Sequence, residues 1–139
     1  MNMLLALHNL LRWAVLLAGL YAITKSALGL IRKRDYTSSE NRAHLIFLIF
    51  CHTQLLLGVI LSIIKLRSEG GWSASAFSIA EHMSTMVLAI IFVQTGRTLS
   101  KKTTDAVQKH KRTLIWFSIA LVLMLSRIPW NASPMMRMP

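Results

Sequence analysis

Three of the five histidines in this 139-residue chain, His8, His52 and His82, are candidates for ligating iron. Each lies in a long apolar stretch, where an ionisable side chain is a functional hypothesis by default. Haem iron needs one or two axial ligands, and histidines on facing helices can supply both. Zinc catalysis would need three or four clustered ligands, which these positions do not provide. The spacing therefore favours haem over a catalytic zinc site.

Two ligand pairs remain open, and both use His82. Pairing with His8 would hold the iron near one end of a helical bundle, and pairing with His52 would hold it deeper. For each histidine, a plain hydrogen bond between helices is the alternative. Arg12 lies four residues after His8, on the same helical face, and could neutralise a haem propionate. His82, His52, His8 and Arg12 are therefore the candidate cofactor-binding residues.

Arg12, Glu81 and Arg127 are predicted to lie at similar depth and to form a structural ion pair. An unpaired charge inside a bilayer costs about 2.5–3.5 kcal/mol, so we expect Glu81 to pair with an arginine of another helix. Arg12 is the favoured partner, because Arg127 could extend to the lipid headgroups instead. No Ser-His-acid or paired-carboxylate arrangement stands out, so a hydrolytic site is not supported.

The remaining histidines and the single cysteine receive structural interpretations. His44 and His110 lie at the ends of apolar stretches, and we expect them to be cationic residues at the membrane interface. Cys51 is expected to be a packing residue, and one cysteine allows no intrachain disulfide.

The elements that must position these side chains are four long apolar segments. The chain is 54% hydrophobic and 15% charged, whereas soluble proteins average about 45–50% and 25%. The run from His44 to Ile64 has no Lys, Arg, Asp or Glu and is long enough to cross a bilayer. Predicted helices cover about 3–31, 43–64, 73–96 and 113–128, followed by a tail at 129–139. Short loops predict an all-α, up-down-up-down four-helix bundle in one membrane domain, residues 1–139.

The basic residues predict the orientation of this bundle. The net charge of +11 would suggest nucleic acid in a soluble protein, but the Lys and Arg residues concentrate in the first and third loops. We therefore expect a lipid bilayer and no nucleic acid as the partner. The positive-inside rule places those two loops in the cytoplasm and both termini on the non-cytoplasmic side.

Several short runs, spread over nearly the whole chain, resemble a known family. The runs LHNLLRW, CHTQLLLG, EHMSTM, KHK and SRIPW are similar to those of short bacterial four-helix integral membrane proteins labelled cytochrome b. The matching positions are His8, Arg12, Trp13, His52, Gln54, Gly58, Glu81, His82, His110 and the ending Ile128, Pro129 and Trp130. The resemblance implies haem b and electron transfer in a bacterial cytoplasmic membrane.

The leading hypothesis is a haem b-binding membrane protein that exchanges electrons with quinol or a respiratory complex. The alternative is a cofactor-free membrane subunit or scaffold, in which the histidines and the Arg/Glu pair fix helix packing. A protein that conducts protons or small solutes is a third class, and a homo-oligomer would make it more plausible. Enzymatic activity is left open.

Overall fold

The computed structural model describes residues 2–71 and 74–127, with side chains described for 3–71 and 76–127. This part of the chain folds into four helices and contains no strand. The helices are α1 (Asn2–Ile31), α2 (Ser38–Ser68), α3 (Ala74–Lys101) and α4 (Ala106–Ser126).

A backbone reversal ends α1. The N–H of Arg34 donates to the carbonyl of Gly29 at 3.0 Å, and Arg32 donates to Leu28 at 2.9 Å. Between them Lys33 has a φ of 50°, in the left-handed region that usually takes glycine after a helix. A non-glycine residue therefore pays a steric cost at this position.

Polar residues lengthen α2 at both ends beyond the apolar run that predicted residues 43–64. Thr37 caps the N-terminus in a capping box with Glu40, so α2 begins at Ser38. At the other end the helix continues to Ser68. Gly70 and Gly71 then turn the chain with positive φ values of 76° and 101°.

Most of the predicted third loop, residues 97–112, is helical. Helix α3 continues to Lys101, and Asp105 caps α4 by accepting a hydrogen bond from the N–H of Val107 at 3.2 Å. The segment is basic but contains no glycine or proline. Its polar residues therefore continue the helices, and hydropathy alone predicted helices that were too short. Helix α4 ends at Ser126. The predicted stop at Pro129 and the tail 129–139 lie outside the described residues.

The four helices pack as a bundle around a core of small and aromatic side chains. Helix α1 packs on α2 and α4, and α3 packs closely on α4, whereas α2 and α3 pack less closely. Phe47 and Phe117 are fully buried at the centre with ring centroids 5.4 Å apart. A Cβ on Gly19 would lie 2.8 Å from the Phe47 ring, so this glycine permits the close approach of α1 and α2.

The outer surface of the bundle is apolar and much of its interior is polar. Leu17 and Val122 are 64% and 65% exposed, whereas His44 and His110 are fully buried. The segments Met3–Ile31, Ser38–Ser68 and Ala76–Lys101 are long and apolar enough to cross a membrane. Among the described helices α4 does not meet that criterion, since its first turns carry Lys109, Lys111 and Arg112.

Replacing Lys33 by glycine should stabilise the protein by about 1 kcal/mol, because glycine adopts a positive φ without the Cβ penalty. Thermal unfolding of the detergent-solubilised protein measures the change. Lys33→Ala is the matched control: it removes the same charge but keeps Cβ, so it should bring no comparable gain. Equal stabilisation by both variants would assign the effect to charge.

Candidate functional site

A cavity at one end of the bundle collects several of the residues that the sequence singled out. Helix α1 contributes His8 and Arg12, α2 contributes Gln54, and α3 contributes His82. The remaining lining is mainly apolar, with three methionines, Met83, Met86 and Met124, and the buried Cys51. We call this part of the molecule the cavity end.

His8 is held by α2 through its backbone, while its ring faces the cavity. The side-chain amide of Gln54 donates to the carbonyl of His8 at 2.9 Å. The Nδ1 atom of His8 is buried and has no hydrogen-bond partner among the described residues, and the same is true of Oε1 of Gln54. Buried polar atoms are nearly always satisfied, so two such atoms beside one cavity indicate a place for a ligand or water.

His82 is oriented from α4. Its Nδ1 lies 3.3 Å from the carbonyl of Arg127, which can only accept, so Nδ1 carries the proton and donates. In a neutral imidazole the other nitrogen, Nε2, then keeps its lone pair. A ring held in this way is the usual arrangement of a histidine that ligates a metal.

Glu81 forms its ion pair with Arg127, the arginine that the sequence argument ranked second. The carboxylate and guanidinium are 3.7 Å apart and their side chains are 41% and 46% exposed. This pair joins α3 to the end of α4, next to His82. Arg12 lines the cavity on the opposite helix.

His52 lies elsewhere. Its side chain is exposed, it does not line the cavity, and its Nδ1 is 2.9 Å from the carbonyl of Leu48 on its own helix. The structure therefore brings together His8, Arg12 and His82, but not His52. His52 and Gln54 are two residues apart on α2 and therefore point about 200° apart around the helix, and Gln54 is the one that lines the cavity.

The donor set suits axial ligation better than a metal cluster. Within residues 2–71 and 74–127 no group of three or more His, Cys, Asp or Glu could hold a metal ion. Two imidazoles, one cation for a propionate and apolar walls do fit the needs of a haem. The volume of this partly open cavity, however, is only about 60 Å3, enough for a few waters. A porphyrin would require the lining side chains to move outward.

No family model, curated protein or solved structure matches the chain. The assignment of the site consequently depends on its own residues. The strongest observation is that two histidines from α1 and α3 line one cavity, and one of them has an unsatisfied ring nitrogen.

A second polar cluster closes the opposite end, which we call the basic end because its connections, 32–37 and 102–105, are flanked by Lys and Arg. His44 and His110 are fully buried there. The expectation that they are interfacial cationic residues was wrong, because both rings point into the bundle and not toward solvent or headgroups. A Cβ on Gly29 would lie 2.6 Å from the His110 ring nitrogens, so the missing side chain at Gly29 makes room for this ring.

The hydrogen bonds of this cluster have defined directions. Thr113 donates to a backbone carbonyl of its own helix, so its oxygen accepts from Ser26 at 2.9 Å. The Ser26 oxygen in turn accepts from Nε2 of His44 at 3.2 Å. His44 therefore presents the lone pair of Nδ1 to the hydroxyl of Tyr36, which donates at 2.7 Å. The chain of bonds fits a neutral imidazole.

Two further contacts join the first loop to this cluster. His110 donates from Nε2 to the carbonyl of Arg34 at 3.0 Å, and Tyr36 packs against both histidine rings. Burial raises the pKa of Tyr36 above its usual value, against the opposing effects of its hydrogen bond with Ser100 and the charge of Arg97. The phenol therefore remains a donor well above neutral pH.

One signal for this cluster is present in the sequence and was missed. Ser26 and Gly29 are three residues apart, so two small residues share a face on α1. In an otherwise apolar helix, such a face indicates a close neighbour, and here the neighbours are His44 and His110.

Tyr36→Phe should lower the free energy of unfolding by about 1–3 kcal/mol, because Nδ1 of His44 would stay buried without a donor. Thermal or denaturant unfolding in detergent measures this loss. Tyr21→Phe is the matched control, since Tyr21 is 58% exposed and should be nearly neutral. Similar stability of the two variants would mean that the Tyr36 hydroxyl does not satisfy His44.

Proposed function

We propose that this protein is an integral membrane, up-down-up-down four-helix bundle that binds haem b at the cavity end and transfers electrons. His8 and His82 are the proposed axial ligands. The proposal includes membership of the short bacterial four-helix family labelled cytochrome b, to which the sequence is similar. The observation that carries it is the meeting of His8, Arg12 and His82 at one cavity.

Membrane insertion is supported by the distribution of side chains. Large apolar residues such as Leu10, Leu20 and Phe77 are more than half exposed, and soluble monomers rarely expose such continuous apolar surface. In a bilayer this surface faces acyl chains. Buried polar groups such as Ser26, His44 and Thr113 find their partners inside, as a medium without water requires.

The alternating direction of the helices is supported by contacts at both ends. Gln54 near the middle of α2 bonds His8 near the start of α1, whereas Ser26 near the end of α1 bonds His44 near the start of α2. Likewise Arg112 donates to the carbonyl of Leu99 at 2.8 Å, joining the start of α4 to the end of α3. These contacts support the proposal that neighbours in sequence run in opposite directions.

Helix α4 is the weakest candidate to span the membrane. Its apolar part, residues 113–126, covers about 21 Å, less than the hydrocarbon thickness of about 30 Å. The bilayer can thin locally, and Arg127 and Lys109 at its ends can reach the headgroups. The basic end then faces the cytoplasm, and both termini face the non-cytoplasmic side of a bacterial cytoplasmic membrane.

Binding a haem at the cavity end would use two imidazoles and one guanidinium. His8 and His82 would ligate the iron from α1 and α3, and Arg12 would pair with a propionate. The bound haem would supply one-electron redox chemistry. The chain's own residues hold the imidazoles in place: Gln54 fixes the backbone of His8, and the carbonyl of Arg127 fixes the ring of His82.

The space for a porphyrin would come from flexible side chains and a loosely packed helix pair. Met83, Met86 and Met124 line the cavity, and unbranched methionines rearrange more easily than branched residues. Helices α2 and α3, which flank the cavity, pack less closely than the other neighbours. Opening on this side breaks the fewest contacts.

Electron transfer needs a donor and an acceptor outside this small chain. We propose quinol or a respiratory complex, both of which are found in the same membrane. The proposal also includes a homo-oligomer, in which the cavity ends of two copies would lie close together in the bilayer.

A cofactor-free membrane subunit is the second candidate, and the small cavity volume favours it. In this case His8 and Gln54 would join α1 to α2, and the Glu81 and Arg127 pair would join α3 to α4. Such a protein would have the same fold but no visible absorption.

Protein purified after haem-sufficient expression should give a Soret and an α band in a reduced-minus-oxidised spectrum. His8→Ala and His82→Ala should each abolish or grossly alter these bands, because each removes one axial ligand. His52→Ala is the matched control and should leave the spectrum unchanged, since His52 is exposed outside the cavity.

The absence of any Soret band in the wild-type protein would reject the haem proposal and favour the cofactor-free subunit. A changed spectrum in His52→Ala with an unchanged one in His8→Ala would instead restore the deeper ligand pair.

Topology can be tested separately in a Cys51→Ala background. A cysteine at Thr104, in the connection before α4, should be labelled by an impermeant reagent only after permeabilisation. A cysteine at Ser68, at the end of α2, should be labelled in intact cells whose outer membrane admits the reagent. The reverse pattern would overturn the orientation, and extraction of the protein by alkaline carbonate would overturn membrane insertion.

A further inference from the structure

Positive charge is concentrated at the basic end. Of the 16 Lys and Arg residues in the chain, eleven lie on or beside the connections 32–37 and 102–105, together with three acidic residues. The basic residues are Lys25, Arg32, Lys33, Arg34, Arg42, Arg97, Lys101, Lys102, Lys109, Lys111 and Arg112. The acidic residues are Asp35, Glu40 and Asp105.

The acidic residues do little to neutralise this charge. Glu40 is buried and accepts hydrogen bonds from the N–H and hydroxyl of Thr37, and Asp105 caps α4. Within the part of the chain that the structure describes, the ion pair found within 4.0 Å joins Glu81 to Arg127, at the cavity end. The basic end is therefore strongly cationic.

Several cations of the basic end bond neutral oxygens. Lys25 donates to the hydroxyl of Ser39, Arg97 to the carbonyl of Asn41 and Arg112 to the carbonyl of Leu99. Such bonds position the side chains but add no negative charge, and of these three cations Lys25 also interacts electrostatically with Glu40. An anionic partner from outside the chain would balance the excess positive charge of the basic end.

The corner where α1 ends has a fixed backbone. Arg34 is held at both of its backbone groups: its N–H donates to Gly29 and its carbonyl accepts from His110. The side chains of Arg32, Lys33 and Arg34 are nevertheless exposed. Lys109 and Lys111 flank His110 in the sequence and add two cations on the neighbouring helix α4.

We propose that this corner binds the phosphate of an anionic phospholipid headgroup. Its position at the end of α1, a helix long enough to cross a bilayer, suits the depth of headgroups. Juxtamembrane clusters of Lys and Arg attract anionic lipid, with each basic residue strengthening binding about fivefold. The proposal rests on membrane insertion and not on haem.

Native mass spectrometry of the delipidated protein in detergent, titrated with phosphatidylglycerol or phosphatidylcholine, tests this site. We expect phosphatidylglycerol to bind more tightly to the wild-type protein. The double variant Arg32→Gln/Arg34→Gln should lower that affinity roughly thirtyfold and leave the affinity for phosphatidylcholine unchanged. Both substitutions keep the backbone groups that bond Gly29 and His110.

Lys65→Gln/Arg67→Gln is the matched control, since it removes two charges from the end of α2 at the cavity end. It should change the affinity for phosphatidylglycerol less than twofold. If both double variants lost the same affinity for phosphatidylglycerol, net charge alone would explain the effect, and the proposal of a localised site would be overturned. No preference of the wild-type protein for phosphatidylglycerol would also overturn it, and an acidic protein segment would then be the partner to seek.

The outcomes can be distinguished from those for the proposed function. Carbonate extraction reports on membrane insertion and the visible spectrum reports on haem, whereas the lipid titration in detergent requires neither result. Loss of lipid preference with an intact haem spectrum would reject this inference alone.

Discussion

The hydrogen bonds that close the basic end are the interaction on which the rest of the bundle depends. Ser26, His44 and Thr113 come from three helices, and each is satisfied by another of the three or by backbone. Because all three are fully buried, these groups have no access to solvent, and leaving one unsatisfied would cost about 1–3 kcal/mol. The bonds therefore fix the relative heights of α1, α2 and α4. Helix α3 contributes none of these three residues and packs mainly on α4.

The two ends of the bundle differ in the space beside their unsatisfied polar atoms. At the basic end, hydrogen bonds account for both nitrogens of His44, whereas Nδ1 of His110 is buried without a hydrogen-bond partner and packs against Gly29. At the cavity end, His8 and Gln54 each leave an atom unsatisfied beside open space. An unsatisfied polar atom beside open space is where a ligand can gain binding energy that the protein does not supply itself.

Hydropathy predicted the four helices but placed several of their ends too early or too late. The apolar run of α2 marks the part that can lie in hydrocarbon, whereas the helix continues through the polar turn that Thr37 caps. The ion pair of Glu81 was predicted as a type of contact, but its partner, Arg127, was ranked second. The burial of His44 and the exposure of His52 were not predicted. In helices that are apolar on all sides, lipid-facing and core-facing positions have similar composition, so the sequence does not say which face a histidine occupies.

A layer of buried apolar side chains separates the two ends of the bundle and bears on whether protons could pass through it. Phe47, Phe117 and Val93 are fully buried in this layer, and Ala22 and Ala89 complete it. A proton would need a continuous series of polar groups or waters to pass from Ser26 to Arg12, and the layer interrupts that series. An electron needs no such series, because it can tunnel through packed apolar side chains. The division of the described interior into two polar ends with an apolar centre therefore argues against conduction of protons through the whole bundle.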